Sequence, residues 1–354
     1  MSTDRVTQDI TETASDTPEE KVMNAFFFAC ALLSVITTVS IVLLLASETV
    51  KFFDLTAGLV GYEGDAIGLA DFFLGTNWAA GFKPYAFGVV PLVFNTLVIT
   101  IGAAVVAMPL GLATAIYLSE YASKRKRAVL KPALEILAGI PTVVYGFFAL
   151  VYVTPFLDSL FGFLNNDVPG LSGTVFNFPE LGTFNALSAS IIVGIMIIPM
   201  VSSISEDAMS AVPADLRRAG YGMGATKFDV SVGIVVPAAV SGIASSFILA
   251  LSRAIGETMI VAIAAGSTPT MPAFGQLSVL GTQIPYPNFG TLAVYFEPVM
   301  PMTSAMVNIA TGDMPTSGVA YHSLFAVGFT LFAMTLIMNV ISDFIASRYR
   351  EEYE

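Results

Sequence analysis

Arg253 and Glu257 stand four residues apart inside an apolar run, residues 234–265, that is long enough to cross a bilayer. A charge at membrane depth costs about 2.5–3.5 kcal/mol on insertion scales, so a pair of them calls for a task. Spaced i,i+4 on an unbroken helix, the two share one face and can pair. Counted from Pro237 at ~1.5 Å per residue, Arg253 lies about 24 Å along the axis and Glu257 about 30 Å, in the outer half of the membrane. Gly256 between them leaves room for a close neighbour or a solute. The planar guanidinium fork binds two oxygens of an oxyanion at once, with Glu257 setting its orientation and weakening its hold. The adjoining Thr258 falls on the same path. A second reading, an ion pair that only locks helix packing, stays open at this point.

The elements that must position this pair follow from composition. Of 354 residues, 55% are hydrophobic and only 12% charged, against about 25% charged in a soluble domain. Apolar segments of about 20 residues recur, each enough to span the hydrocarbon as a helix. The fold class is therefore all-α, a polytopic membrane helical bundle of about six transmembrane helices. The spans are read at 22–47, 89–118, 134–156, 186–205, 234–265 and 321–345.

Residues 1–20 hold six acids against Arg5. That composition cannot bury a core and is expected to be a disordered cytosolic tail ahead of a permease-like body, 21–350. Its acidic start and the long apolar run behind it do not make a signal peptide. Cys30, the only cysteine, permits no intrachain disulfide, and the lone His322 rules out a multi-histidine metal site. No cofactor and no nucleic-acid partner are expected. The connections 48–88, 157–183 and 266–319 are polar or rich in Gly and Pro. Prolines 269, 272, 285, 287, 298, 301 and 315 argue against one long extra helix in the last of them, where residues 302–310 fit a short amphipathic helix and loop packing equally well.

Basic residues orient the bundle. With the N-terminus inside, twelve of the fifteen lysines and arginines face the cytosol, among them Lys124–Arg127, Lys131, Arg217 and Arg218. Only Lys51 and Lys83 fall outside, so both termini are expected in the cytosol of a plasma-membrane protein.

That orientation puts the stretch 206–237 on the inside. Small residues there (Ala219, Gly220, Gly222, Gly224, Ala225) allow two backbones to approach closely, and Pro213 and Pro237 bracket the segment. It resembles the cytosolic signature of ABC importer permeases, a Glu-Ala-Ala opening, a glycine, and an Ile-x-Leu-Pro close. The matching residues are Arg218-Ala219-Gly220, then Gly224 and Ala225, then Ile234-Val235-Val236-Pro237. Arg218 stands where that signature often has Glu, Gly220 where it often has Ala, and Val236 where it often has Leu.

The run Arg253-Ala254-Ile255-Gly256-Glu257-Thr258-Met259 resembles the membrane motif of PstC-type permeases of phosphate-specific ABC importers. Residues 87–96, 109–121, 137–146 and 196–205 are similar to that family as well. The resemblance implies a MetI-like permease architecture in which this chain forms half of a phosphate pathway. It also implies a second, PstA-like permease, two cytosolic ATPase subunits docked on the 206–237 loop, and an extracytoplasmic phosphate-binding protein, all working within membrane lipid. ATP hydrolysis falls to the partner, since this chain has no Gly-x-x-x-x-Gly-Lys-Ser/Thr loop and is not itself expected to be an enzyme. Sulfate or molybdate, also tetrahedral oxyanions, are the alternative cargoes. A secondary transporter or channel is the less favoured alternative. It would need no docking loop and often shows inverted repeats or several intramembrane acids, whereas this sequence shows one clear intramembrane pair and no clear repeat. An intramembrane hydrolase would need a nucleophile with a base, and nothing around His322 resembles one.

Overall fold

In the computed structural model the described residues are 18–56, 68–81, 83, 85–166, 179–269, 274–279, 282–287, 292–312, 315 and 318–348. The expected acidic tail therefore lies outside them up to residue 17, as does the chain beyond residue 348.

Among the described residues five helices are long and apolar enough to cross a membrane, and a bent pair makes a sixth if it is counted as one broken span. The first, α1 (Pro18–Thr56), is lipid-like on almost every side and runs on past the expected end of its span. It is pinned to the last helix, α14 (Val319–Arg348), where Thr49 Oγ1 donates to Phe325 O at 3.2 Å. In the same place His322 Nδ1 lies 3.2 Å from Glu48 Oε2. Cys30 is exposed on α1.

A short helix, α2 (Leu69–Leu74), and a two-residue ladder of β1 (Trp78–Ala79) with β2 (Ala86–Phe87) close the first connection. They bury Phe52, Phe72, Trp78 and Phe87 in edge-to-face contact, with Phe52 and Phe87 centroids 5.2 Å apart.

The central pair is α3 (Val90–Ile116), continued by a π-helical turn to Tyr121, and α7 (Ala186–Ser210). They pack closely because their facing residues are small. A Cβ on Gly111 would lie 2.6 Å from Val201 Cγ1. Around that seam Ala103, Ala107, Ala189, Ile192 and Val193 form the main core.

Between them run α4 (Lys124–Ala138), then α5 (Thr142–Phe148), a π-helical turn, and α6 (Thr154–Asn166). The expected third span at 134–156 thus divides. Residues 134–138 belong to the amphipathic α4, and the crossing is Thr142–Asn165. Gly139 and Pro141 stop α4 and restart the chain, which a hydropathy window smooths over.

The expected fifth span, 234–265, is also broken. After α8 (Ala214–Gly222) come α9 (Lys227–Val230), a π-helical turn over Ser231–Val235, and α10 (Val236–Ala238). Then the axis bends by 71° into α11 (Val240–Ile255). A second break at Gly256–Thr258 precedes α12 (Met259–Ala264). Pro237 lacks an amide for the ladder at the first break. The Glu257 side chain takes over helix amides at the second.

The last connection carries a hairpin absent from the sequence reading, β3 (Phe274–Val279) against β4 (Thr282–Pro287), in register from Phe274↔Pro287 to Val279↔Thr282. It also carries a short helix, α13 (Met302–Thr311), which is buried along Met302, Thr303, Ser304, Ala305 and Ile309.

Hydrogen bonds knit this connection to distant elements. Asn185 and Ala186 amides donate to Ala264 O and Glu297 O at 3.1 Å each, and Val299 N donates to Ala265 O at 2.9 Å. Met302 N donates to Thr96 Oγ1 at 3.0 Å, and Tyr295 OH to Val98 O at 3.0 Å.

Candidate functional site: a membrane cavity and a helical docking segment

Glu257 lies just past the end of α11, not on it. Its side chain is 2% exposed, and Oε1 accepts from the amides of Met259 at 3.1 Å and Ile260 at 3.4 Å, capping α12. Its own carbonyl accepts from Thr303 Oγ1 at 2.7 Å. The other oxygen, Oε2, stands 3.6 Å from Arg253 Nη1, an ion-pair distance longer than a hydrogen bond. The expected pairing is therefore present but loose, and it spans a break instead of sharing a helical face.

Arg253 itself keeps 47% of its side chain exposed. From Val240 it lies about 20 Å along α11, beyond a bend, so a depth counted on a straight span overstates its position. Thr258 donates to Gly256 O at 3.2 Å and is half-buried. Of the three expected path residues, Arg253 alone lines a cavity of ≈ 330 Å³. Its walls are otherwise apolar (Leu134, Ile140, Met196, Pro199), with Lys131 and Glu206 among its polar lining.

Glu206 was expected to open the docking loop. Instead α7 continues to Ser210 and holds Glu206 fully buried. Arg127 and Lys131 of α4 both pair with it, Lys131 Nζ to Oε2 at 2.7 Å, and Ser210 Oγ donates to Oε1 at 3.0 Å. Lys131 also reaches Asp207 Oδ1 at 2.9 Å. One residue earlier, Ser205 Oγ is 2.7 Å from Ser246 Oγ on α11. Adjacent residues of α7 thus tie α4 on one side and the Arg253 helix on the other. Sequence reasoning missed this cluster; the available signal was a basic run facing an acid pair at the end of an apolar span.

In the docking segment, Arg217 does the anchoring. It donates to Met209 O at 2.7 Å and Val212 O at 2.6 Å, and pairs with Glu120 at the end of α3, Nη2 to Oε1 3.0 Å. Arg218, the residue singled out from the sequence, is exposed and bonds only to the equally exposed Asp215 at 3.1 Å. Such a pair contributes little to stability.

Gly220 is buried where α8 meets the turn after α9. A Cβ there would stand 2.6 Å from Ile234 Cδ1 and 3.0 Å from Val230 Cγ2, so the structure brings Gly220 and Ile234 together. Gly224 has φ +84, left-handed backbone that glycine adopts without strain. Ala225 packs against the small core of Met209, Val230 and Val235, while Ala219 and Pro237 are exposed.

Thr226 and Asp229 form a reciprocal cap that starts α9, with Thr226 N donating to Asp229 Oδ2 at 3.0 Å and Asp229 N to Thr226 Oγ1 at 3.3 Å. What the segment shows outward is apolar: Met223 is 89% exposed and Phe228 65%, with Tyr221 beside them in the chain. Such side chains stay in contact with solvent unless a partner covers them.

Among the described residues no group of three or more His, Cys, Asp or Glu is placed to hold a metal ion.

Comparison with known proteins agrees with this architecture. Residues 107–351 match the family described as binding-protein-dependent transport system inner membrane component. The chain is 28% identical to the probable ABC transporter permease protein YqgH of Bacillus subtilis over 89% of each chain. It is 31% identical to the phosphate transport system permease protein PstC of Mesorhizobium japonicum over 74% of each. To PstC of Xylella fastidiosa it is 36% identical over 56% of this chain and 61% of that one. Among solved structures, a bacterial ABC transporter involved in the import of the acidic polysaccharide alginate matches 94% of this chain and 99% of its own, at TM-score 0.53 and 13% identity. That likeness shows the fold alone.

Proposed function

The chain belongs to the family of binding-protein-dependent transport system inner membrane components, and from that premise we propose that it forms half of the pathway of an ATP-driven importer for inorganic phosphate. It is a multi-pass membrane permease, a transport subunit rather than an enzyme. The observation that carries the phosphate reading is the state of Arg253. Glu257 commits one carboxylate oxygen to helix amides and leaves the guanidinium half exposed at the cavity wall. A fork so held offers donors to a tetrahedral oxyanion, and a carboxylate at ion-pair range keeps the grip weak enough for release. Similarity to several PstC permeases supports phosphate as the cargo.

The partners in this reading are a second, PstA-like permease, two cytosolic ATPase subunits and an extracytoplasmic phosphate-binding protein. The ATPases hydrolyse ATP and seat on the 206–237 segment, which includes Arg218, Ala219, Gly220, Gly224, Ala225, Ile234 and Pro237. Arg217 supports the mechanical link. It fastens α8 to the ends of α7 and α3, so a push on the segment is delivered to the two central helices. The basic cluster Lys124–Arg127 with Lys131, read by the positive-inside rule, supports a cytosolic position for this end and both termini, in the plasma membrane.

The test is ATP-dependent phosphate uptake by the complete assembly in vesicles, with and without Arg253→Ala. Uptake lost while assembly and basal ATPase activity persist supports Arg253 on the path. Unchanged uptake assigns the pair to packing alone. Transport of sulfate or molybdate in place of phosphate by the unsubstituted assembly would overturn the cargo.

A further inference from the structure

The helix α4 divides its cations between two destinations. Arg127 and Lys131 turn toward α7 and are held by Glu206. Lys124, Arg125 and Lys126 are exposed, and no carboxylate is placed against them among the described residues. All three occupy the first turn of the helix, where the aligned backbone dipoles already present positive charge. The fold thus gathers three cations where they repel one another and the helix end, with no counter-charge placed against them among the described residues.

The outer face of the same helix is apolar. Val129 is 69% exposed and Ile136 73%, and Leu130 is exposed beside them. The element sits directly between two membrane crossings, α3 with its π-helical turn ending at Tyr121 and the next crossing beginning at Thr142. Pro132 lies within it and Gly139 ends it, so it continues neither neighbour as a span. An amphipathic helix tethered at both ends to spans, with basic residues grouped beside exposed aliphatic ones, has the chemistry of an interfacial helix.

We propose that α4 lies in the membrane interface and that Lys124, Arg125 and Lys126 bind the phosphate groups of anionic lipids, while Val129, Leu130 and Ile136 enter the acyl boundary. Charge complementarity selects this occupant: the cluster is wholly basic, and an anionic lipid offers phosphate and hydrocarbon at the spacing the helix presents. The lipid would act on the far face as well. The helix it holds carries Arg127 and Lys131, which reach Glu206 at the wall of the Arg253 cavity. The cytosolic placement of that interface rests on the orientation proposed above; the lipid contact does not.

The complete assembly in nanodiscs tests this, read by photocrosslinking instead of transport so that the cargo plays no part. The discs contain phosphatidylcholine and phosphatidylglycerol at about three to one, with a trace of photoreactive phosphatidylglycerol or, in parallel, photoreactive phosphatidylcholine. Crosslinked residues are mapped by mass spectrometry. The expected result is labelling by the anionic probe within residues 124–138, weakened by salt. Each cation near an anionic surface is worth about a fivefold preference, so Lys124→Gln/Arg125→Gln/Lys126→Gln should lower that labelling at least about tenfold. Lys51→Gln/Lys83→Gln, far from the helix in sequence, should leave it unchanged.

Equal labelling by the two probes would overturn the proposal, as would an undiminished signal in the triple variant. Loss of labelling on adding inorganic phosphate, but not on adding chloride at the same ionic strength, would assign the cations to a soluble anion, and protection by the ATPase subunits alone would assign them to a protein partner. Both results overturn the lipid assignment. Labelling of the helix together with failed phosphate uptake would leave this inference standing and sink the cargo.

Discussion

Lys131 on α4 and Glu206 on α7 meet at 2.7 Å, and the carboxylate they share with Arg127 is wholly shielded from solvent. A connecting helix is thereby fastened to the central one through a single buried acid. Glu206→Gln keeps the shape but removes the charge that both cations face. Breaking a buried ion pair costs about 3–5 kcal/mol, and solvent reaching the two partly exposed cations brings the expected loss to about 2 kcal/mol. Thermal unfolding of the purified assembly measures it. In a double-mutant cycle, Lys131→Gln should cost clearly less in the Glu206→Gln background than alone.

At Gly220 the nearest obstacle is one methyl group, Ile234 Cδ1, with Val230 Cγ2 next at 3.0 Å. Gly220→Ala should destabilise the docking segment by about 1 kcal/mol, since Ile234 Cδ1 stands 2.6 Å from the new Cβ. Ile234→Val deletes that methyl and should restore most of the loss. A double variant no better than Gly220→Ala would place the strain elsewhere.

Gly224 separates backbone strain from packing. Nothing lies within 4 Å of an added Cβ, yet φ is +84. Gly224→Ala should then cost about 1–2 kcal/mol by conformation alone, and Gly224→Asn less, because Asn enters the left-handed region more readily. Unfolding midpoints of the two variants give the comparison.

Met223→Glu and Phe228→Asp alter side chains that are 89% and 65% exposed, so the permease itself should stay within about 0.5 kcal/mol of its original stability. Association with the ATPase subunits should weaken at least about tenfold, as for the loss of a buried apolar anchor. Co-purification and ATPase stimulation read the effect, and unaltered association would remove these residues from the docking surface.

Much of this arrangement was visible in the residues. The crossings at Val90–Tyr121, Ala186–Ser210 and Val319–Phe344 were legible because unbroken apolar runs of that length have one economical solution in a bilayer. At Met302 the residues allowed a short helix and loop packing alike, and the structure shows the helix. The breaks in the fifth span were not legible. An i,i+4 Arg–Glu pair looks the same on a continuous helix as across a gap, and only the tertiary fold shows Glu257 capping α12. Arg217 and Arg218 are equivalent by type and position. They part because one side chain meets the carbonyls ending α7 and the other meets water. Glu206 escaped notice because its partners lie 75 and 79 residues away in the chain.

The bonds that join Asn185 to Ala264, Ala186 to Glu297, Val299 to Ala265, Met302 to Thr96 and Thr303 to Glu257 stitch four separate stretches of chain into one end of the bundle. That end behaves as a welded cap. A passage opened through it would tear several of those bonds at once, and all the residues they join except Glu297 are buried. A passage opened along the cap's outer wall, against a neighbouring subunit, would tear none. On the reading of this chain as half of a pathway, the weld therefore favours a gate in the seam between the two permeases over one within this chain.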